Sequence, residues 1–210
     1  MDIFNHKDYE KFWYDRWVEK GCFKAEVSSK KEPYTIMMPP PNVTGSLHIG
    51  HALTFTLQDI LIRYFRMKGR DVLWQPGTDH AGIATQLVVE RNLESEGFTK
   101  EELGRDKFIQ KVWDWKKVSG DTITNQMRRL GSSCDWDSEY FTMDTIRSKV
   151  VQKAFVTLFN QGLIYRGTRL VNWDPVLMTA ISDLEVVTED TDGFIWTIKY
   201  PLLGEETSSS

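Results

Sequence analysis

The order of apolar and polar positions divides the first half of the chain into alternating strands and helices. A short apolar run at residues 34–38 stops at three prolines, which cannot continue a strand ladder. Residues 46–67 are apolar at helical spacing, and Gly69 follows as the expected C′ residue. A second apolar run at residues 71–77 precedes another helical pattern. This order predicts an α/β fold with parallel pairing in a doubly wound sheet.

The remaining segments predict further helices and a second region. Aromatic residues at helical spacing within residues 6–20 predict an amphipathic helix that stops at Gly21. Residues 99–129 are charged and helical and begin with a capping box, and residues 145–161 form a clear amphipathic helix. Strand-like runs follow at residues 163–175, 181–187 and 194–200. These runs predict a second, smaller α+β region.

Composition and charge narrow the function classes. Hydrophobic residues make up 40% and charged residues 27% of the chain, as is usual for a globular protein. The net charge of -4 gives no overall basic signal for nucleic acid, although a local patch can still bind RNA. Cys22 and Cys134 form no CxxC pair, so we expect neither a zinc–thiolate cluster nor a disulfide scaffold, and a cytoplasmic location. Without a secretory signal or a membrane-length apolar run, no membrane partner is expected.

The stretch between the first strand and its helix carries the most specific chemistry. His48 and His51 lie three residues apart at the start of the helix, with Gly50 between them. Free backbone N–H groups and the helix dipole favour an anion there. Gly45 and Gly50 lack side chains where a ligand would approach, and imidazoles donate hydrogen bonds to phosphate oxygens. We therefore predict a phosphate site in which both histidines stabilise charge during phosphoryl or nucleotidyl transfer.

Other interpretations of this stretch are weaker. Gly45 and Gly50 fit the first half of a Walker loop, but His51 and Ala52 replace the Lys and the Ser or Thr that it requires. The dinucleotide fingerprint GxGxxG is absent. A metal site with His80 as the third ligand stays open, although no acid or cysteine stands at a known ligand spacing. For one histidine alone a structural role is the ordinary one, but the combined pattern favours the phosphate.

Asp79 is the second candidate site residue. It follows the second strand and precedes a helix, so it lies on the same rim of a parallel sheet as the histidines. The ordinary role of Asp at a helix start is an N-cap. Across the rim from a phosphate site, its carboxylate could instead hold the α-amino group of an amino acid.

Four motifs together indicate a family resemblance. The string PPPNVTGSLHIGHAL contains the His-Ile-Gly-His signature of the class I aminoacyl-tRNA synthetases. With GTDHAGIATQ, GSSCDWDSEYFTMD and VNWDPVLMTAISDLEV, it resembles the valine-specific members of that family across residues 9–200. The resemblance implies a Rossmann-like catalytic domain. It also implies activation of valine with ATP and Mg²⁺, followed by transfer of the valyl group to tRNA(Val).

The resemblance implies an ATP site and no zinc site. His48, Gly50 and His51 would contact ATP, which would bind with Mg²⁺ as the substrate complex, and Gly45 lies beside them. Some family members carry zinc-binding cysteines near the second domain. The corresponding positions here are Asp174, Leu177 and Met178. We therefore expect no zinc.

The resemblance also implies an amino-acid pocket. Asp79 would hold the ammonium group of valine. The pocket wall would be formed by Pro39, Pro40, Pro41 and Asn42. Weaker candidates for the same pocket are Trp74 and Gln86. Prolines are rigid, so they would set the pocket size without an entropy cost on binding.

Several parts of such a synthetase are missing from the sequence. It contains no Lys-Met-Ser-Lys-Ser loop, no Thr-rich editing signature and no anticodon-binding helices. We interpret the chain as an N-terminal fragment. Residues 1–30 would be a helical extension, residues 31–165 the first half of the Rossmann-like domain, and residues 166–210 the start of an inserted α+β or β editing region. We expect a monomeric full-length enzyme and little or no activity from the fragment alone.

Two alternatives from other function classes stay open. Another nucleotidyltransferase with a His-x-Gly-His signature would suit the length, although such enzymes lack the GTDHAGIATQ and DWDSEYFTMD motifs. A non-catalytic RNA- or protein-binding fragment could use the basic, aromatic runs QKVWDWKK and NQMRRLG. The mixed charges of those runs fit a solvated helix face better.

Overall fold

The computed structural model describes residues 5–200 of the chain. Its α-helices are α1 (His6–Glu19), α2 (Ile49–Met67), α3 (Ile83–Ser95), α4 (Lys100–Leu103), α5 (Arg105–Arg129) and α6 (Thr145–Asn160). Its strands are β1 (Pro33–Met37), β2 (Asp71–Gln75), β3 (Gly77–Thr78), β4 (Tyr140–Phe141), β5 (Asn172–Asp174) and β6 (Thr179–Ile181). Short 3-10 turns occur at Trp136–Ser138 and Asp183–Glu185. The chain divides into two compact units between Gln161 and Gly162.

Parallel strands form the centre of the first unit. β1 pairs with β2 over five residues, beginning with Pro33 opposite Asp71. β3 follows β2 after Pro76 alone and pairs in parallel with β4. Pro76 interrupts the ladder because it has no N–H, but its carbonyl still accepts from Tyr140 N at 3.3 Å. The prediction of a parallel α/β arrangement with helical crossovers is confirmed.

The core of the first unit is built from one face each of α2 and α5. Phe55 and Ile62 of α2 are buried, as are Ile123 and Met127 of α5. Trp74 of β2 belongs to the same cluster and has no exposed surface. Several residues of the apolar face predicted for α2 stay about half exposed: Leu53, Leu57, Ile60, Leu61 and Tyr64. α2 is apolar around much of its circumference, so helical spacing alone does not identify the face that packs on the sheet.

Glycines and caps set several of the helix ends. Gly69 follows α2 with a φ of 81°, which confirms the predicted C′ residue. The helix predicted over residues 99–129 is interrupted once. The capping box of Thr99 and Glu102 begins α4, and Gly104, with a φ of 79°, separates α4 from α5. Glycine adopts such positive φ values without the steric cost that other residues incur.

α1 is fixed to the first unit through one buried tyrosine. The Tyr14 hydroxyl donates to Ser132 O at 2.7 Å and accepts from Trp136 Nε1 at 2.8 Å. Burial raises the pKa of Tyr14 to about 12 because the ionised form would lose its hydration. Phe12 and Trp13 of the predicted apolar face stay about half exposed. The predicted helix is present, and Tyr14 is its one buried residue.

The second unit contains a small antiparallel hairpin, β5 with β6. The strand predicted at residues 194–200 is wrong, because those residues form no strand. The strand predicted at residues 163–175 is present only at its end, as β5. The run at residues 181–187 contributes only its first residue to β6 and continues into the turn at Asp183–Glu185. Residues 194–200 have no pairing partner among residues 5–200, and their apolar side chains are exposed. A strand needs a partner for its backbone groups, which a local apolar pattern does not supply.

Candidate active site

Two strand-to-helix turns lie side by side at one rim of the parallel sheet. Asp79 N donates to Pro41 O at 2.8 Å, and Val43 N donates to Asp79 O at 2.9 Å. These bonds form a parallel bridge between Asn42 and Asp79. The turn before α2 is thereby joined to the turn before α3. This rim is where parallel α/β sheets bind ligands.

His48 and His51 cap the start of α2 through reciprocal hydrogen bonds. His48 Nδ1 accepts from Gly50 N at 3.1 Å, and His51 Nδ1 accepts from His48 N at 3.3 Å. The two ring centroids lie 4.0 Å apart. Because both Nδ1 atoms accept, the neutral rings carry their protons on Nε2. The capping role and the predicted phosphate role therefore use different atoms of the same rings.

The charge of His51 depends on its surroundings. Burial lowers the pKa of His51 below its usual value, and the neighbouring His48 ring lowers it further. The usual pKa of histidine is about 6.5, so His51 is neutral at pH 7 and offers an Nε2–H donor. A phosphate group beside the ring would favour the protonated form and strengthen the contact.

The two glycines of the predicted phosphate site differ in how much space surrounds them. A Cβ at Gly50 would lie 2.9 Å from His48 Cε1 and 3.1 Å from His48 Nδ1, so a larger residue would displace that ring. A Cβ at Gly45 would meet no atom within 4 Å. Packing within the chain therefore explains Gly50, whereas Gly45 leaves an open surface.

α5 holds the histidine loop through three side chains that the sequence did not reveal. The bonds are Trp115 Nε1 to Val43 O (2.7 Å), Ser119 Oγ to Gly45 O (3.1 Å) and Leu47 N to Gln126 Oε1 (2.8 Å). The three bonded loop residues alternate, as in an extended segment, and the three side chains share one face of α5. We call Trp115, Ser119 and Gln126 the α5 clasp. The sequence did contain one sign of the clasp, because its polar side chains lie on the same face of α5 as the buried Ile123 and Met127.

In the second turn, one oxygen of the Asp79 carboxylate accepts two hydrogen bonds. Asp79 Oδ1 accepts from Ala81 N at 3.0 Å and from the Thr142 hydroxyl at 3.2 Å. Gly82 occupies the N-cap of α3 without a side-chain cap, so Asp79 does not cap that helix. Ala81 and Gly82 have φ values of 51° and 50°, a conformation that costs energy for alanine. Asp79 Oδ2 has no hydrogen-bond partner among residues 5–200.

The other predicted pocket residues differ in exposure. Pro39, Asn42 and Gln86 are exposed, Pro40 is half-buried and Pro41 is buried. The bridge places Asn42 directly beside Asp79. Trp74 is fully buried, and its Nε1 donates to Gln58 Oε1 at 3.1 Å. Trp74 therefore belongs to the core of the first unit and not to an open surface.

The geometry gives little support to other kinds of site. Within residues 5–200 no three His, Cys, Asp or Glu side chains are placed to hold a metal ion. His80, the third ligand of the metal alternative, has its Nδ1 2.7 Å from Thr142 Oγ1. A groove of about 710 Å³ runs between α1 and the end of α5, but no predicted site residue lines it. In this same range no helix combines the length and apolar character that a membrane crossing needs.

Comparison with known proteins identifies the family. The family model for tRNA synthetases class I (I, L, M and V) matches residues 12–200. The chain therefore belongs to the class I tRNA synthetase family.

Its relatives within the family include many valine–tRNA ligases. The enzyme of Dechloromonas aromatica is 59% identical over 95% of this chain and 21% of its own length. The enzyme of Granulibacter bethesdensis is 61% identical over 98% of this chain and 23% of its own length. The enzyme of Rhizorhabdus wittichii is 62% identical over 90% of this chain and 21% of its own length. The chain thus spans about a fifth of the length of these ligases. The predicted resemblance to valine-specific members is confirmed.

A solved structure supports the fold. The chain is similar to part of LeuRS in the crystal structure of the ternary complex of Agrobacterium radiobacter K84 agnB2 LeuRS-tRNA-LeuAMS. The TM-score is 0.73 at 26% identity, covering 88% of this chain and 22% of that one. The Rossmann-like character predicted from the sequence is confirmed.

Proposed function

We propose that this chain is the ATP- and valine-binding portion of a valine–tRNA ligase. Valine and ATP would form valyl-adenylate and pyrophosphate, and the valyl group would then pass to the terminal adenosine of tRNA(Val). The bridge between Asn42 and Asp79 is the observation that carries the proposal. It joins a histidine-capped helix start, suited to phosphate, to a carboxylate with one free oxygen, suited to an ammonium group.

The first reaction fits the atoms at this rim. An oxygen of the valine carboxylate attacks the α-phosphorus of ATP, and the bond from that phosphorus to pyrophosphate breaks. The Nε2–H groups of His48 and His51 would donate to phosphate oxygens on which negative charge grows. The Nδ1 bonds to the backbone already orient both rings, so little reorganisation accompanies the reaction. Gly45 and Gly50 leave the backbone open to the nucleotide.

The amino-acid side of the site would be built around Asp79. Its Oδ2 would pair with the ammonium group of valine, because the other carboxylate oxygen is already bonded within the chain. The wall beside it would comprise Pro39, Pro40, Pro41 and Asn42, with Gln86 at the start of α3. Trp74 would affect this wall only through the core, since it is fully buried.

The proposal extends to the longer protein. Residues 1–30 would be a helical extension, residues 31–165 the first half of the catalytic domain, and residues 166–210 the start of an editing region. ATP would bind as its Mg²⁺ complex, and the parent enzyme would act as a monomer in the cytoplasm. This chain alone would catalyse little, because the parts that grip the pyrophosphate end of ATP and the tRNA would lie elsewhere.

A chimera tests the function directly. This chain would replace the corresponding segment of the Dechloromonas aromatica valine–tRNA ligase, and valine-dependent exchange of pyrophosphate into ATP would be measured. We expect exchange with valine in the chimera and close to none in the 210-residue chain alone. A folded chimera without exchange would contradict the proposal, and robust valyl-tRNA formation by the chain alone would contradict its last part.

Substitutions in the chimera test the assigned roles. His48→Ala and His51→Ala should each lower kcat about 100-fold, the usual effect of losing one donor to a developing charge. Asp79→Asn should mainly raise the KM for valine. His6→Ala and Asp121→Asn are matched controls at exposed positions and should change little. An unsubstituted chimera without exchange, whose tRNA binding is unchanged by both histidine substitutions, would favour the non-catalytic binding module.

A further inference from the structure

Thr142 lies beside the second turn because of the pairing of β3 with β4. These strands are parallel, and Thr142 N donates to Thr78 O at 3.1 Å, which continues their ladder. Residues that follow two paired parallel strands emerge at the same rim. The Thr142 side chain is therefore next to Asp79 and His80, which follow β3.

The Thr142 hydroxyl makes three polar contacts with these two residues. His80 N donates to Thr142 Oγ1 at 2.9 Å, and His80 Nδ1 lies 2.7 Å from the same oxygen. Thr142 Oγ1 also donates to Asp79 Oδ1 at 3.2 Å. His80 Nδ1 lies 3.4 Å from Asp79 Oδ1, which brings all four polar atoms together.

Counting protons assigns the direction of each contact. A hydroxyl has one proton to donate and two lone pairs that accept. An ionised carboxylate only accepts, so the Thr142 proton points to Asp79 Oδ1. The two lone pairs then accept from His80 N–H and from His80 Nδ1–H. If His80 Nδ1 were bare and took the proton instead, two electron-rich atoms would face Asp79 Oδ1 without a proton between them.

Two consequences follow for the atoms at the rim. Asp79 Oδ1 is held by Thr142 and by Ala81 N, so the plane of the carboxylate is fixed. The proton of neutral His80 is on Nδ1, so its Nε2 is an acceptor. Neither Asp79 Oδ2 nor His80 Nε2 has a hydrogen-bond partner in the described part of the chain, residues 5–200. Two acceptors are thus left at a position where an ammonium group would bind.

We propose that Thr142 is a positioning residue for the amino group of the amino-acid substrate. Its hydroxyl fixes the carboxylate of Asp79 and holds the proton of His80 on Nδ1, so that both residues present acceptor atoms. This inference rests on the function proposed above for Asp79. Thr142 itself does not touch the substrate.

The first test is spectroscopic and needs no activity. Imidazole ¹⁵N chemical shifts report which ring nitrogen carries the proton, and the chain has four histidines, so assignment is simple. In the 210-residue chain at neutral pH we expect the Nδ1–H form for His80. Thr142→Val keeps the shape and the backbone N–H but removes the hydroxyl, and it should release His80 into a mixture of the two forms. Thr142→Ser keeps a hydroxyl and should retain the Nδ1–H form.

The second test is kinetic and uses the chimera described above. Thr142→Val should raise the KM for valine about tenfold, as expected when a carboxylate loses one hydrogen bond that orients it. The KM for ATP should change by less than about twofold on the same scale, because the histidine turn is untouched. Thr142→Ser should recover most of the valine affinity. A purely structural role would change both KM values together.

The outcomes separate this inference from the function on which it rests. No valine-dependent exchange in the unsubstituted chimera would refute the proposed function, while the ¹⁵N shifts would still test the hydrogen bonds of Thr142. An Nε2–H form of His80 in the unsubstituted chain would overturn the inference. So would an unchanged KM for valine in Thr142→Val, or a serine variant as impaired as the valine variant. If circular dichroism shows that Thr142→Val does not fold, Thr142→Ala serves for the same measurements.

Discussion

The two turns of the candidate site are held in place at different atoms. The turn before α2 is held from outside, because the α5 clasp bonds its backbone at three alternate residues. The turn before α3 is held at the Asp79 carboxylate itself, which accepts from Ala81 N two residues away and from the Thr142 hydroxyl 63 residues away. Its backbone also takes positive φ at Ala81 and Gly82. The bridge between Asn42 and Asp79 joins the two.

The difference matches what each turn presents. In the first turn the helix caps orient the histidine rings, so the loop only needs to be kept in position. In the second turn a carboxylate itself must be oriented, so contacts to its own oxygen are needed. A loop that presents backbone and capped rings can be held from a distance, whereas a loop that presents a single side chain is held at that side chain.

Breaking the α5 clasp should have the largest effect on stability. We expect Trp115→Phe, Ser119→Ala and Gln126→Ala together to lower the free energy of unfolding by about 3 kcal/mol, at about 1 kcal/mol for each hydrogen bond. Urea denaturation of the 210-residue chain measures this change. The NMR signals of His48 and His51 should shift, because their loop loses its support.

Thr122→Ala is the matched control for the clasp. Its hydroxyl also bonds a carbonyl, at 2.9 Å, but that carbonyl belongs to Val118 in the same helix. It should change the free energy of unfolding by less than about 0.5 kcal/mol, as is usual for surface positions. A triple variant no less stable than this control would show that α5 does not hold the loop.

Glycine substitutions should act in opposite directions at the two turns. Ala52 lies in the first turns of α2, and Ala52→Gly should lower the free energy of unfolding by about 0.5–1 kcal/mol. Ala81 has a φ of 51°, so Ala81→Gly should leave that free energy unchanged or raise it by up to about 1 kcal/mol. Urea denaturation compares the two variants. Equal losses at both positions would mean that the backbone at Ala81 stores no strain.

Replacing His48 should change the pKa of His51 by a small amount. His48→Asn keeps a side chain that caps helices well but removes the neighbouring charge. The pKa of His51 should therefore rise, though not fully to its usual value, because burial is the larger cause of its lowering. NMR titration of the His51 ring measures the shift, with His6→Asn as the control. A fall in the pKa of His51, or no change, would contradict this account of the pair.

The lowered pKa of His51 also makes the stability of the fold depend on pH. Because the folded-state pKa of His51 lies below its usual value, the unfolded chain binds a proton first as the pH falls. This residue therefore disfavours the folded state as the pH drops through the usual histidine pKa of about 6.5. His48→Asn should weaken that dependence.

The local sequence predicted the elements whose signals are short in range. Prolines after an apolar run marked the end of β1, Gly69 marked the end of α2, and a capping box marked the start of α4. The strand predicted at residues 194–200 failed because a strand depends on a partner that the local pattern does not contain. The packed face of α2 was also not predictable, because several of its faces are apolar.

The sequence by itself determined which chemical groups stand at the ends of the strands: two histidines with a glycine between them, and one aspartate. Their positions follow from the order of strand and helix, since residues that follow parallel strands share one rim. Only the tertiary structure decided how these groups are held. The α5 clasp and Thr142 contact their partners across 62 to 79 residues of sequence. Contacts at such separations depend on how helices and strands pack together, and no local pattern of residues specifies that packing.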